Sequence, residues 1–115
     1  MRTWNLREIE APGGSLSPAV LASVDGAARA VLVALEPGQS LDQHQVKEHA
    51  FVLFVEGAAQ VEAGGETVEA QPGTLVAFDP DERHAVRSAE GARLLLFLAP
   101  WPGEGHFRGD EDVAV

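Results

Sequence analysis

The sequence predicts an all-β protein, folded as an antiparallel sandwich or barrel. Three observations carry this. Turn signals recur along the chain, several of them about 8–12 residues apart, which is the rhythm of short antiparallel strands. They include Asp25-Gly26, Pro37-Gly38, Glu56-Gly57, Gly64-Gly65, Pro72-Gly73, Asp79-Pro80-Asp81, Glu90-Gly91 and Pro102-Gly103. Gly supplies positive φ and Pro presets φ, so each is a turn with a mechanism. Between them lie apolar runs of strand length or apolar–polar alternations. No stretch carries a helical period of useful length.

Taken in order, Ser17 to Val24 fits either a strand or a turn of helix. Ala30 to Leu35 is short, apolar and partly β-branched, and reads as a strand. Phe51 to Val55 is apolar on both alternating faces and therefore asks for cover on both sides. Gln60-Val61-Glu62 and Thr67-Val68-Glu69 alternate about Gly64-Gly65, the pattern of a hairpin with one wet face. Thr74 to Phe78 and Leu94 to Leu98 are again apolar strands. Gly109 to Val115 is acidic and is expected to fray.

The chain of 115 residues is sized for one domain, 1–115, and its 45% hydrophobic content is enough for a core. Residues 1–27 are read as N-terminal strands, 28–99 as the barrel and 100–115 as a C-terminal segment. With no Cys, disulfides, thiolate metal sites and cysteine nucleophiles are excluded. Eighteen acidic residues against eight Lys plus Arg give a formal net charge of −10. Such a surface repels phosphate backbones and anionic lipid, so nucleic acid and membrane are not the expected partners. The N-terminus is charged where a signal peptide needs an apolar stretch, so the expected location is the cytoplasm. None of the serines has a readable His–acid arrangement around it.

The pattern from Ala28 to Ala99 resembles the cupins, small double-sheet jelly rolls. The family's first motif opens with a Gly, five residues and His-x-His, followed by a Glu and a closing Gly. Here Gly38, His44 and Gly57 fall in place, while Val46 stands at the second His and Ala50 at the Glu. In the second motif, Pro72-Gly73 and His84 keep the spacing, and Asp79 and Asp81 replace the usual Pro and Gly. The resemblance implies an antiparallel double-sheet jelly-roll barrel, with His44 and His84 pointing inward from facing strands. Of the four usual ligand positions, His44 and His84 alone carry a ligand.

Two imidazoles fall short of the three or four protein ligands a tight first-row metal site wants. A divalent ion (zinc, nickel, manganese or iron) would need a third ligand among His49, Glu48 and His106. His49 is ranked first, on the condition that a bulge turns it inward at the barrel rim. The hairpin through Gly91 is expected to bring Pro100 to His106 to the barrel mouth, with Trp101 as an apolar plug and Glu104 or His106 within reach of the site. Without a metal, His44 and His84 become polar anchors of an apolar pocket lined by Val46, Ala50, Val52 and Phe54, suited to a small-molecule ligand. The two expected functions are therefore small-molecule binding and a metal-dependent reaction of dioxygenase or isomerase type. Phe51, Leu53 and Val55 form the opposite face of their strand and need a second layer, either the N-terminal segment near Trp4 and Leu6 or another subunit; a homodimer with sheets packed face to face is expected.

Overall fold

The computed structural model describes residues 1–10 and 18–105. Nine strands follow in chain order: β1 (Ala19–Val24), β2 (Ala28–Leu35), β3 (Ser40–His44), β4 (His49–Gly57), β5 (Ala59–Ala63), β6 (Glu66–Ala70), β7 (Leu75–Phe78), β8 (His84–Arg87) and β9 (Ala92–Ala99). There is no helix among the described residues, so none that could cross a membrane. The strands form a five-stranded sheet, β1-β2-β9-β4-β7, and a four-stranded sheet, β3-β8-β5-β6, with every pairing antiparallel. This is the expected double-sheet jelly roll. The expected fraying of Gly109 to Val115 lies outside the described residues.

Period-2 alternation places the core. Val31, Val33 and Leu35 of β2, Ala50, Val52 and Phe54 of β4, and Leu94, Leu96 and Leu98 of β9 all point inward. Val61, Phe78 and Val86 meet them, two of them from the smaller sheet. Phe54 is 1% exposed, which fixes the inner face of β4. The stretch from Ser17 that fitted strand or helix is strand from Ala19, with a bulge between Val20 and Ala22. The Gly64-Gly65 hairpin forms as read, pairing Val61 with Val68.

One expectation is corrected. The strand after His84 was expected to pair with the strand after Gly91. Instead β8 and β9 lie in different sheets, and the turn through Gly91 carries the chain from one sheet to the other. On the outer face of β4, Phe51 is 38% exposed and Leu53 and Val55 are half-buried within the single chain.

Gly57, which closes β4, sits at φ 78°, in the region L side chains avoid. A methyl group there would also run into the carbonyl oxygen of Gly91 and the Cα of Ala92. Both obstacles are backbone and cannot rotate away. Gly57→Ala is therefore expected to lower stability by about 2–4 kcal/mol, since backbone strain and a steric clash add. A urea melt shows this, and a loss under about 1 kcal/mol would mean the 57–91 contact is looser than described.

Candidate functional site

The site forms where β3 ends and β8 begins. His44 and His84 are direct register partners on these neighbouring strands. They were expected on facing strands; they are adjacent in one sheet, which brings them closer than a barrel-spanning pair would be. Leu41 pairs with Val86, and both are buried. His84 lies two residues before Val86 and so shares its inward face. His44 lies three residues after Leu41, a spacing that would send it outward in a regular strand. The register shift between Leu41 and His44 inserts one extra residue into β3 and restores the inward direction.

The two rings meet edge to face, with centroids 4.3 Å apart and planes at 61°. Phe78 stacks on His84 at 3.9 Å and 7°, holding that ring in plane. Nδ1 of His44 lies 2.7 Å from the Asp42 carbonyl oxygen, and Nδ1 of His84 lies 2.9 Å from that of Glu82. A carbonyl only accepts, so the hydrogen-bond network assigns the ring proton to Nδ1 in both. In the neutral rings Nε2 is then a bare acceptor. Burial pushes both pKa values below the usual 6.5, against the backbone hydrogen bonds that raise them; nearby Arg83 further lowers His44, and His44 further lowers His84.

The flanking loops are stitched together. The backbone N–H of Asp81 donates to the Val46 carbonyl at 2.7 Å, and Lys47 Nζ pairs with Asp81 Oδ1 at 2.9 Å. Asp81 adopts φ 64°, a left-handed conformation that Asp tolerates better than most residues. This is the position where the cupin motif carries Gly.

The remaining expected residues fall as follows. Val46, Ala50, Val52, Phe54 and Trp101 are all buried and belong to the packed core. They line neither of two clefts that lie elsewhere, one at 38–40, 58–60 and 87–90 and one at 34–35, 56–57 and 90–93. His49 is exposed and starts β4 opposite Ala99. The outward direction is the one a regular strand gives, and the bulge that would have turned it inward falls instead between Phe54 and Glu56. Glu48 does point inward, 1% exposed, and its Oε2 accepts the Gly103 N–H at 2.7 Å. A Cβ on Gly103 would come within 2.8 Å of the Lys47 carbonyl oxygen, so this close seating needs Gly. Trp101 donates its N–H to Ala27 and accepts from Gly26, while the Arg29 guanidinium lies 4.6 Å over its ring. Glu104 is exposed, and His106 lies outside the described residues.

The family model of the cupin domain matches residues 31–99. The chain belongs to the cupin family. Solved structures agree in fold. An uncharacterized protein with a double-stranded β-helix domain from Klebsiella pneumoniae is 18% identical, with a TM-score of 0.75 over 87% of this chain and 90% of that one. A cupin superfamily protein from Desulfitobacterium hafniense is 18% identical, with a TM-score of 0.71 over 78% and 82%. A protein of unknown function from Rhizobium leguminosarum is 26% identical, with a TM-score of 0.69 over 85% and 95%. No curated protein matches the sequence.

Cupins often hold a metal ion. Here Val46 and Ala50 vacate two ligand positions, and no group of three or more His, Asp or Glu that could hold a metal exists among the described residues. The described residues therefore do not fit a closed metal site, although the two bare Nε2 atoms are oriented as metal-ligating imidazoles are.

Because the folded rings bind protons more weakly than unfolded ones, the unfolded state takes them up first as the pH falls. Stability from this source is full above pH 6.5 and is lost as the pH drops through 6.5 toward the lower folded values. Urea midpoints are expected to fall between pH 7.5 and 5.5, and to fall less in a His44→Gln, His84→Gln protein. Equal slopes in the two proteins would contradict the assignment.

Proposed function

We propose that this cupin binds a small molecule through the His44/His84 pair. The observation that supports it is the pairing of two neutral imidazoles whose Nδ1 atoms are already committed to backbone carbonyls. Two bare Nε2 acceptors on rings whose centroids are 4.3 Å apart favour a ligand that offers hydrogen-bond donors, such as a hydroxyl compound or a weak acid that hands over its proton. His44 is half-buried and gives the ligand its approach, while His84 is 3% exposed and acts from beneath. The acidic surface supports small-molecule rather than nucleic-acid or membrane partners, and we place the protein in the cytoplasm.

A second reading has one observation in its favour. Metal-ligating imidazoles are commonly oriented by a hydrogen bond from the other ring nitrogen, as both rings here are. A divalent-metal enzyme of dioxygenase or isomerase type would use His44, His84 and a third ligand from outside the described residues, with His106 the remaining candidate.

One experiment separates them. Untagged protein is analysed for metal, stripped with chelator, and screened by thermal shift against hydroxyl compounds and weak acids at pH 7.5, with and without zinc, nickel, manganese or iron. Small-molecule binding predicts a metal-independent shift, lost in both His44→Ala and His84→Phe. The metal reading predicts stoichiometric metal that both variants lose. Ligand shifts unchanged in both variants would contradict the proposed site.

A further inference from the structure

The outer face of the four-stranded sheet carries a second feature, at the end of the barrel away from the imidazoles. Val61 and Val86 are buried, so their neighbours Gln60 and Arg87 point outward. The register lays Ser40, Arg87, Gln60 and Glu69 side by side across β3, β8, β5 and β6. All four line a cleft of about 320 Å³, at the lower end of the range for small-molecule pockets. His84 lies three residues before Arg87, about 10 Å along the strand and on the opposite face of the sheet. The cleft is therefore separate from the imidazole pair.

One buried hydroxyl holds its walls together. Ser88 is 2% exposed, and its Oγ donates to the Ala58 carbonyl oxygen and accepts the Gly91 N–H. The backbone joins the same loops: the Gly38 N–H donates to the Ser88 carbonyl at 2.8 Å, and the Ser88 N–H to that of Gln39 at 3.1 Å. The walls are thus tied to one another without a ligand, which removes an ordering cost from binding. Ala58 and Ala89 also line the cleft, and their small side chains leave it open.

The row is a relay of donors and acceptors. Arg87 Nη2 donates to Gln60 Oε1 at 3.4 Å, and Gln60 Nε2 donates to Glu69 Oε2 at 2.9 Å. These contacts orient the Gln60 amide and leave it one further N–H. Arg87 keeps other N–H donors, because the nearest carboxylate oxygen, on Glu62, is 4.0 Å from Nη2 and beyond hydrogen-bond reach. Ser40 Oγ donates to Asp42 at 3.0 Å and so offers lone pairs, as does the second oxygen of Glu69. A ligand lying across the row meets an acceptor, two donors and an acceptor, about 4.8 Å apart.

Hydroxyl groups answer this pattern, because each both donates and accepts. A carboxylate or phosphate meets Glu69 and Glu90 on the cleft wall and a body of net charge −10. An ammonium meets Arg87. We propose that the cleft binds a neutral polyhydroxyl ring, a pyranose sugar, with its hydroxyls on the Ser40–Arg87–Gln60–Glu69 row and its C–H groups against Ala58 and Ala89. Neither imidazole takes part.

The test is a ¹⁵N–¹H correlation NMR titration with methyl glucoside, methyl galactoside and methyl mannoside, each taken to tens of millimolar, with benzoate as the anionic control. At least one of the three sugars is expected to move resonances at 38–40, 58–60 and 87–90. Gln60→Leu and Arg87→Met keep side-chain bulk and remove donors, and each should weaken binding about tenfold, the worth of a hydrogen bond or two. Ala89→Trp fills the cleft without altering the row and should abolish the shifts. His44→Gln, His84→Gln protein should bind the sugar as wild type does, which separates this site from the imidazole site. Silence at the cleft with all three sugars, sugar shifts confined to the surroundings of His44 and His84, binding that survives both Gln60→Leu and Arg87→Met, or a cleft that prefers benzoate to every sugar would overturn the proposal.

Discussion

One extra residue in β3 sets up the whole site. Between Leu41 and His44 the strand advances three positions while its partner β8 advances two. Without that bulge, either Leu41 would leave the core or His44 would face solvent. With it, the strand keeps its apolar anchor and presents a polar ring to the same interior. The Asp42 carbonyl, within the bulged stretch, then accepts from His44 Nδ1. The local backbone irregularity thus both aims the ring and selects its tautomer.

The other contacts at this end of the barrel serve that arrangement. The loop after His44 and the loop before His84 are joined by the Asp81 N–H to Val46 bond, with the Lys47–Asp81 ion pair outside it. That ion pair is close to half-exposed on both sides, so it contributes about 0–1 kcal/mol; the backbone bond fixes the geometry. Glu48 does different work from the metal-ligand role its inward phase first suggests. Its carboxylate seats Gly103 and thereby the segment that buries Trp101. The inward acid of this loop is committed to Gly103 at the barrel end, and the positions that would complete a ligand set are Val46 and Ala50. The result is a pair of neutral bases beside an apolar interior, suited to accepting donors more than to gripping a metal.

Much of this was legible in the sequence, and the limits have physical reasons. Alternation and Gly-rich turns revealed β4, β9 and the β5–β6 hairpin, because burial on one face imposes period 2. β3 was harder to see. Ser40-Leu41-Asp42-Gln43-His44 has a single apolar residue, and its bulge is a backbone event with no hydrophobic signature. Motif spacing brought His44 and His84 together, yet it could not tell adjacent strands from facing ones. The phase of Val46, Glu48 and Ala50 announced an inward carboxylate. Its partner lies 55 residues away, where no local rule reaches. For His49 the alternation rule alone gave the outward direction, and the bulge that could have reversed it lies farther along β4, between Phe54 and Glu56.

The binding chemistry of the site depends on both rings being neutral with the proton on Nδ1, which leaves an Nε2 acceptor on each. Long-range ¹⁵N–¹H NMR of uniformly labelled protein at pH 7.5, assigned with His44→Gln and His84→Gln, reads the tautomer of each ring directly. Two Nδ1–H rings with unprotonated Nε2 are the predicted result. An Nε2–H tautomer or a charged imidazolium at either position would contradict it, because the pair would then present a donor where the proposed ligand needs an acceptor.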